Sequence, residues 1–445
     1  MKLQSDWVRG GLLGAGLLLP ATAFAQTAPA VVPDKGDTAW MLVSTLLVLL
    51  MILPGLQLFY GGLVRTKNML SVMTQIGAAT CLVMLMWVIF GYSLAFGPDS
   101  AAPLTPFIAG FDRMFLSGIT PDSTVATFSA GVVIPELVFI CFQMTFAAIT
   151  VSIVLGGIVE RVKFGAVMVF TLVWLPLVYL PIAHMVWAGS GLFFAMGALD
   201  FAGGTVVHIN AGVAALVAAI FAGKRLGYMK DSMAPHSLTL TLIGTGLLWV
   251  GWFGFNAGSA LEANGSAALA MINTFVATAA AGLAWLAAER SFGQKPSALG
   301  LASGIVAGLV AVTPAAGNAG PMGAILLGIA TSLSCYVAVA IIRPKLRYDD
   351  SLDAFGIHGV GGIVGAIGTA IVYAPAFGGP GPADYDMIAQ LGTQLLAVGT
   401  TIVWSTAGTL VALAAAKAVT GLRATQESER EGLDLADHGE RAYNQ

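Results

Sequence analysis

Charged residues are scarce in this chain: Asp, Glu, Lys and Arg make up 10% of its 445 residues, against roughly 25% in a typical soluble domain. Because 57% of the residues are hydrophobic, so few charges cannot cover the surface of a soluble protein, and the apolar content excludes a disordered chain. The formal net charge of −3 is too small to predict a nucleic-acid partner. The composition indicates an integral membrane protein.

Cysteine is also scarce, and an odd number in apolar runs excludes a disulfide framework. The three are Cys81, Cys141 and Cys335. Histidine, cysteine and carboxylate residues do not recur at metal-ligand spacing, and we expect no metal and no cofactor. Glycine and tryptophan are plentiful, with 55 and nine residues. Both suit transmembrane helices, which use Gly for close packing and Trp at the membrane boundary.

Residues 1–25 have the layout of a cleavable signal peptide. Lys2 and Arg9 precede a short apolar run, and Ala23-Phe24-Ala25 provides a small-residue cleavage site. The run is well short of the ~20 residues that a membrane span needs. We therefore expect cleavage after Ala25 and an outside N-terminus; the alternative is an uncleaved twelfth helix.

Windows of about 20 apolar residues then recur eleven times. We place them at 38–60, 70–96, 134–159, 165–183, 203–222, 237–258, 267–288, 298–312, 320–342, 355–374 and 390–421. Of the 20 Lys and Arg residues, Lys2 and Arg9 lie in the signal peptide. With the N-terminus outside, only Lys35 and Arg113 of the mature chain lie outside, and the other 16 lie inside. Since inside loops are enriched in Lys and Arg, the sequence predicts an all-α membrane protein with eleven helices and an inside C-terminus.

An internal repeat relates the fifth and tenth helices. His208-Ile-Asn-Ala-Gly212 resembles His358-Gly-Val-Gly-Gly362, and each histidine follows an aspartate, Asp200 or Asp350, by eight residues. If helices one to five and six to ten are two copies, an odd number of spans inverts the second copy, and such repeats place their site at the midplane. Chance likeness between Gly-rich helices is the alternative.

His208 and His358 lie within apolar helices, where a polar side chain is costly and marks a functional site by default. One such histidine is usually a satisfied core group, but two at corresponding positions predict a shared lumen. Neutral imidazoles each offer one N–H donor and one acceptor nitrogen. This pair suits a small, neutral, hydrogen-bonding solute.

Aromatic and hydroxyl groups gather at the outer side. They are Phe142 and Phe146 in helix three, Trp187 in the loop after helix four, and Trp252, Phe255 and Ser259 around the end of helix six. An aromatic belt is the alternative explanation; a cluster without a carboxylate suits capture of a monovalent cation by ring faces. Asp200 is expected to cap the fifth helix, either as architecture alone or also as a charge that favours the cation.

Residues 198–212, which contain Asp200, Thr205, His208 and Asn210, resemble the signature of the ammonium transporter (Amt) family. Further stretches that match are 142–146, 183–187, 251–259, 353–360 and 431–440. The resemblance implies a homotrimer in the bacterial cytoplasmic (inner) membrane. Each subunit would have two inverted five-helix repeats and a long eleventh helix in a transmembrane domain over residues 26–423.

The resemblance also implies roles for individual residues and partners. Trp187, Phe146 and Ser259 would recruit ammonium, Phe146 and Phe255 would form a gate, and His208, His358 and Trp252 would line the lumen. Residues 424–445 hold six acidic residues and two arginines; they form a flexible end by composition, or by resemblance a cytoplasmic tail that docks a PII signal protein. The cargo would be ammonium or ammonia, with methylammonium as an analogue.

Three alternatives stay open at this point. One is an ammonium sensor that reports to a PII protein with little flux. The second keeps the fold and changes the cargo to methylammonium, carbon dioxide or water. The third, a membrane enzyme, lacks a nucleophile with a base or a metal set, and the sequence predicts a protein that is not an enzyme.

Overall fold

The computed structural model describes residues 32–98 and 103–443, so the predicted signal peptide lies outside the described residues. Within them, eleven helices are long and apolar enough to cross a membrane, which confirms the predicted number. They are α1 Lys35–Leu63, α2 Thr66–Phe96, α3 Glu136–Leu155, α4 Phe164–Ala195, α5 Gly204–Ala222, α6 Leu238–Gly258, α7 Gly265–Ser291, α8 Ala298–Ala315, α9 Pro321–Leu346, α10 Phe355–Val372 and α11 Met387–Thr420.

Short elements complete the architecture. Strands β1 Thr124–Ala126 and β2 Val133–Pro135 form an antiparallel hairpin between α2 and α3, with Thr124 opposite Pro135. Two helices follow α11, namely α12 Gln426–Glu431 and α13 Leu433–His438. Helices α3, α5 and α8 are the most enclosed, whereas α1, α9 and α11 expose much of their apolar surface. The enclosed helices form the interior of the described residues, and the exposed ones form its apolar periphery.

Helices α5 and α10 begin in the same way, as expected of two copies. Each opens with a π-helical turn that contains its histidine. The carboxylate of Asp200 accepts hydrogen bonds from the backbone N–H groups of Gly203, Gly204 and Thr205, and that of Asp350 accepts them from Ala354, Phe355 and Gly356. Because five crossings separate the two helices, the second copy is inverted.

The two copies cross at matching glycines, each four residues after its histidine. A Cβ atom on Gly212 would lie 2.2 Å from the backbone nitrogen of Gly359, and one on Gly362 would lie 3.0 Å from the Cβ of His208. Neither backbone can approach so closely when a side chain intervenes. The crossing holds the two histidines at the same depth.

Helix α4 extends further than its sequence predicts. Trp187 was predicted in the loop after this helix, but it is the last residue of the helical segment Leu180–Trp187. The last turns of this helix contain the buried His184 ring, whose nitrogens lie 2.8 Å and 2.6 Å from the backbone oxygens of Ala95 and Thr105. Placement in a loop was therefore wrong.

The loops between α1 and α2, α3 and α4, and α5 and α6 meet the chain after α11 on one face, called here the tail face. Glu160 lies between Arg65 and Arg225, at 3.0 Å and 2.6 Å. Burial opposes ionisation of this carboxyl, but the two guanidinium groups outweigh it and hold its pKa at about 2. This ion cluster ties separate loops of the membrane domain together.

Helices α12 and α13 pack onto the tail face. The Lys67 ammonium donates to the backbone oxygen of Glu429 at 2.8 Å, and the Leu433 N–H donates to the Asn68 side chain at 2.9 Å. The Asp434 carboxylate accepts from the Ser71 N–H at 2.7 Å. Over its described residues the tail is therefore packed, and the interpretation of it as a flexible end is wrong.

Candidate functional site

The opposite face of the molecule, called here the Trp187 face, opens into a cavity of about 680 Å³. Its walls combine aromatic rings with polar groups. They include Phe142, Gln143, Trp187, Asp200, Ser259 and Asn318. The predicted recruitment residues Trp187 and Ser259 therefore share one enclosed space, called here the Trp187 cavity.

Trp187 is held in place by its own indole N–H, which donates to the backbone oxygen of Asp200 at 3.0 Å. The edge of its ring system meets Phe146 at a centroid distance of 5.7 Å and an interplanar angle of 84°. The Ser259 hydroxyl donates to the backbone oxygen of Phe255 at 2.8 Å. Since that bond uses the only hydroxyl hydrogen, the lone pairs of Ser259 are left to accept from an N–H donor.

Two phenyl rings lie stacked between the Trp187 ring and the histidines. Phe146 and Phe255 are fully buried, with centroids 4.1 Å apart and planes inclined by 15°. Phe142 packs beside them at 4.8 Å from Phe146. A solute that moves towards the histidines must displace this stack, so the structure brings the two predicted gate residues into contact.

The two histidines lie side by side below the phenyl stack. Their Nδ1 atoms are 3.2 Å apart, and their rings stack with centroids at 5.3 Å. Between neutral rings such a bond requires one Nδ1 to carry the hydrogen and the other to accept it. The pair therefore presents one bare nitrogen and one N–H at its two Nε2 atoms. The Nε2 atom of His208 is buried and has no partner among the described residues.

Trp252 completes the wall around His208. Its indole stacks on the imidazole with centroids at 5.4 Å, and its N–H donates to the Thr313 hydroxyl at 2.9 Å. Because Thr313 takes up this N–H, Trp252 offers an apolar surface to the space beside His208. The predicted lumen residues are thus contiguous in the structure.

A second cavity of about 580 Å³ lies on the tail-face side and reaches His358. Its walls are more polar and include Tyr60, Tyr228, Asp231 and Ser303. Phe146, Phe255 and His208 border neither cavity. The molecule thus has two vestibules, separated by a short, tightly packed segment of rings.

Asp200 lies against the Trp187 cavity but directs its carboxylate into the start of α5. Burial raises the pKa of this carboxyl, and the hydrogen bonds from Thr205, Gly204 and Gly203 offset part of that rise. Its cap fixes the backbone that binds the Trp187 indole, and Gly203 in that turn has a φ of 115° that favours glycine. Asp200 therefore borders the cavity while the start of α5 binds its carboxylate.

Comparisons with known proteins identify the family of this chain. The model of the Ammonium Transporter Family matches residues 39–443. The chain is a member of the ammonium transporter family. An ammonium transporter of Aquifex aeolicus is 48% identical over 92% of this chain and 94% of its own length. One of Bacillus subtilis is 44% identical over 92% of this chain and 99% of its own.

Solved structures of this transport family have the same fold. A structure named Sensor Amt Protein has a TM-score of 0.81 and 30% identity, covering 91% of this chain and 98% of that one. Candida albicans Mep2 has a TM-score of 0.80 and 34% identity, covering 92% and 91%. The relatives of Aquifex aeolicus and Bacillus subtilis are both named as transporters.

Two site residues were missed from the sequence. Gln143 borders the Trp187 cavity with a buried side-chain oxygen that has no partner among the described residues, and Thr313 orients Trp252. Gln143 stands between two predicted aromatic residues in the sequence, and a polar residue in an apolar helix is a usable signal. Thr313 carries no such signal, because hydroxyl residues are common in membrane helices.

Proposed function

We propose that the Trp187 cavity captures ammonium, that the ion loses a proton at the phenyl stack, and that ammonia passes along the two histidines to the tail face. One observation carries this proposal: two stacked phenyl rings lie between a cavity with ring faces and a free hydroxyl lone pair, and a pair of hydrogen-bonded imidazoles. Such a path favours a cation at its mouth and a neutral solute in its middle.

The central energetic requirement is to refuse potassium, which has nearly the size and the same charge as ammonium. A unit charge that enters a dry protein interior costs on the order of 20 kcal/mol by idealised Born estimates, and still several after relaxation. A ring face returns only ~0.5 to 2 kcal/mol. Ammonium avoids the remaining cost when it gives up a proton, since desolvation favours the neutral form. Potassium has no such route.

The histidine pair suits ammonia because it offers both a hydrogen-bond acceptor and a hydrogen-bond donor. The bare Nε2 accepts from an ammonia N–H, and the other Nε2 donates to the ammonia lone pair. Trp252 and Phe255 exclude water around His208. Ion-current recordings on supported membranes, under an ammonium gradient alone, decide whether the proton follows the ammonia by another route.

We also propose the topology, assembly and partner that the family resemblance implies. The Trp187 face would lie outside and the tail face inside, which agrees with the cluster of cationic loops on the tail face. Three copies would form a trimer, which light scattering of the purified protein checks through its mass. The packed tail would dock a PII signal protein, and loss of that binding on removal of residues 424–445 is the expected result.

A sensor with little flux is the second candidate. It is favoured by the TM-score of 0.81 to a structure named Sensor Amt Protein. A sensor requires the capture site but not an open path beyond it. Binding of methylammonium without uptake by the wild type would select this candidate over the transporter.

Uptake of labelled methylammonium into cells tests the proposal. We expect Trp187→Ala to raise KM, because a ring face is lost, and His208→Ala to lower the maximal rate, because the lumen loses its polar contacts. Trp404→Ala is a matched control, since this tryptophan is 41% exposed on α11 and away from both cavities. Unchanged uptake in both site variants would reject the residue assignments.

A further inference from the structure

Glu262 lies in the loop between α6 and α7, three residues after Ser259, and plays no part in the proposed path. It is only 5% exposed. The preceding residue, Leu261, and two of its hydrogen-bonding partners, Asn264 and Ser129, border the Trp187 cavity. A carboxylate is thus held directly behind the wall of a cavity that suits a cation.

The contacts of this carboxylate are neutral donors. It accepts from the Ser129 N–H at 3.1 Å, the Ser129 hydroxyl at 2.9 Å and the Asn264 amide at 2.9 Å. Burial opposes its ionisation, but hydrogen bonds from Thr127, Ser129 and Asn264 outweigh that effect and hold the pKa of Glu262 below its ordinary value. Among residues 32–98 and 103–443, it forms no ion pair with Lys or Arg. Its charge is therefore stabilised without being neutralised.

Other carboxylates on the Trp187 face add to the negative charge of Glu262. Asp37 from α1 accepts from the Ala263 N–H at 2.7 Å, so a second carboxylate touches the same loop. Over the described residues, the loops and ends on the Trp187 face carry nine acidic residues and two basic ones. The acidic residues are Asp34, Asp37, Asp112, Asp122, Glu136, Asp200, Glu262, Asp384 and Asp386; the basic ones are Lys35 and Arg113.

We propose that Glu262 supplies the negative potential that concentrates ammonium in the Trp187 cavity, a specificity role that rests on the function proposed above. Clefts lined by one sign of charge between low-dielectric walls focus the field and raise the local concentration of the opposite ion. The effect needs no contact with the ion. It acts on capture and leaves the passage along the histidines unchanged.

The competing role for Glu262 is mechanical. Its bonds to Ser129 fasten the loop between β1 and β2, which forms part of the cavity wall. Glu262→Gln keeps the size and an acceptor oxygen but removes the charge. Ser129→Ala removes the hydroxyl bond and keeps the charge. The two variants therefore separate the electrostatic role from the mechanical one.

The test is the KM for methylammonium uptake into cells, measured in sucrose-balanced media at ionic strengths of about 0.01 M and about 0.1 M, where the screening lengths are about 30 Å and 10 Å. At the lower ionic strength we expect Glu262→Gln to raise KM by about threefold to tenfold with an unchanged maximal rate. The difference should shrink by more than half at the higher one. Any change of KM in Ser129→Ala, which keeps the charge but alters the cavity wall, should be the same at both ionic strengths.

Several results would overturn the inference. They are an unchanged KM in Glu262→Gln, a difference that persists undiminished in salt, or the same salt-dependent rise in Ser129→Ala. If Glu262→Gln does not fold, the wild type still provides a test, because the inference requires its KM to rise with ionic strength. Wild-type uptake that is lost in Trp187→Ala but unaffected in Glu262→Gln would reject this inference and leave the proposed function standing. A wild type that takes up nothing would reject both.

Discussion

Asp200 and Asp350 occupy corresponding positions in the two repeats but have different surroundings. Each carboxylate accepts from three successive backbone N–H groups at the start of its helix, but only Asp200 borders the Trp187 cavity. Their spacing from the histidines made the caps predictable from the sequence. From the sequence alone, Asp200 could be only a helix cap, or a cap whose charge also acts on the cavity. Comparison with Asp350, which caps a helix but does not border that cavity, distinguishes the two roles.

We predict that Asp200→Asn and Asp350→Asn lose similar stability, within about 1 kcal/mol, because Asn also caps helices. Only Asp200→Asn should raise the KM for methylammonium, by severalfold, since only that charge lies at the cavity. Thermal unfolding in detergent and uptake into cells measure the two effects. Equal uptake by both variants would show that Asp200 is an architectural residue alone.

Individual residues also show which features of the site the sequence predicts and which it does not. That His208 lies beside His358 and Phe146 beside Phe255 was predictable, because polar or clustered aromatic residues stand out in apolar helices. The shared hydrogen between the two Nδ1 atoms was not, since it depends on a 3.2 Å distance that the crossing of α5 and α10 sets. Glu262 was missed as well, because its partner Ser129 is 133 residues away in the chain.

Among the helices, the crossing of α5 and α10 determines the geometry of the site. The Gly212 and Gly362 backbones meet the opposite helix one residue after its histidine. The number of helices follows from apolar windows alone. The crossing does not, because 55 glycines offer many possible contacts and only the fold selects this one. The end of α4 was likewise not predictable, because His184 contacts Ala95 and Thr105, which are 89 and 79 residues away in the chain.

We predict that Gly212→Ala destabilises the protein by about 3 kcal/mol or more, since the new Cβ would overlap backbone atoms that have no room to move. Gly399→Ala is the control, because that helical glycine faces open space and Ala is the better helix former. Thermal unfolding of the purified variants measures the difference. Similar melting temperatures for Gly212→Ala and the wild type would contradict the close crossing.

At the scale of the whole molecule, the two faces differ in charge. The Trp187 face is rich in carboxylates, whereas cationic loops and the ion cluster around Glu160 lie on the tail face with α12 and α13. The Lys and Arg pattern predicts the orientation in the membrane, which stays a prediction. The packing of the tail was not predictable, because its composition alone suits a solvated end. With the proposed orientation, this asymmetry would place carboxylates at the entrance of the path and the packed tail at its exit.

The central claim is that selectivity arises from proton loss at the phenyl stack, and the most direct test compares two ions of the same charge. Purified protein in vesicles is given equal inward gradients of ammonium or potassium, and entry of each is followed against protein-free vesicles. The account predicts rapid ammonium-nitrogen entry and potassium entry no faster than in the protein-free control. Potassium entry at a rate comparable with that of ammonium would contradict it.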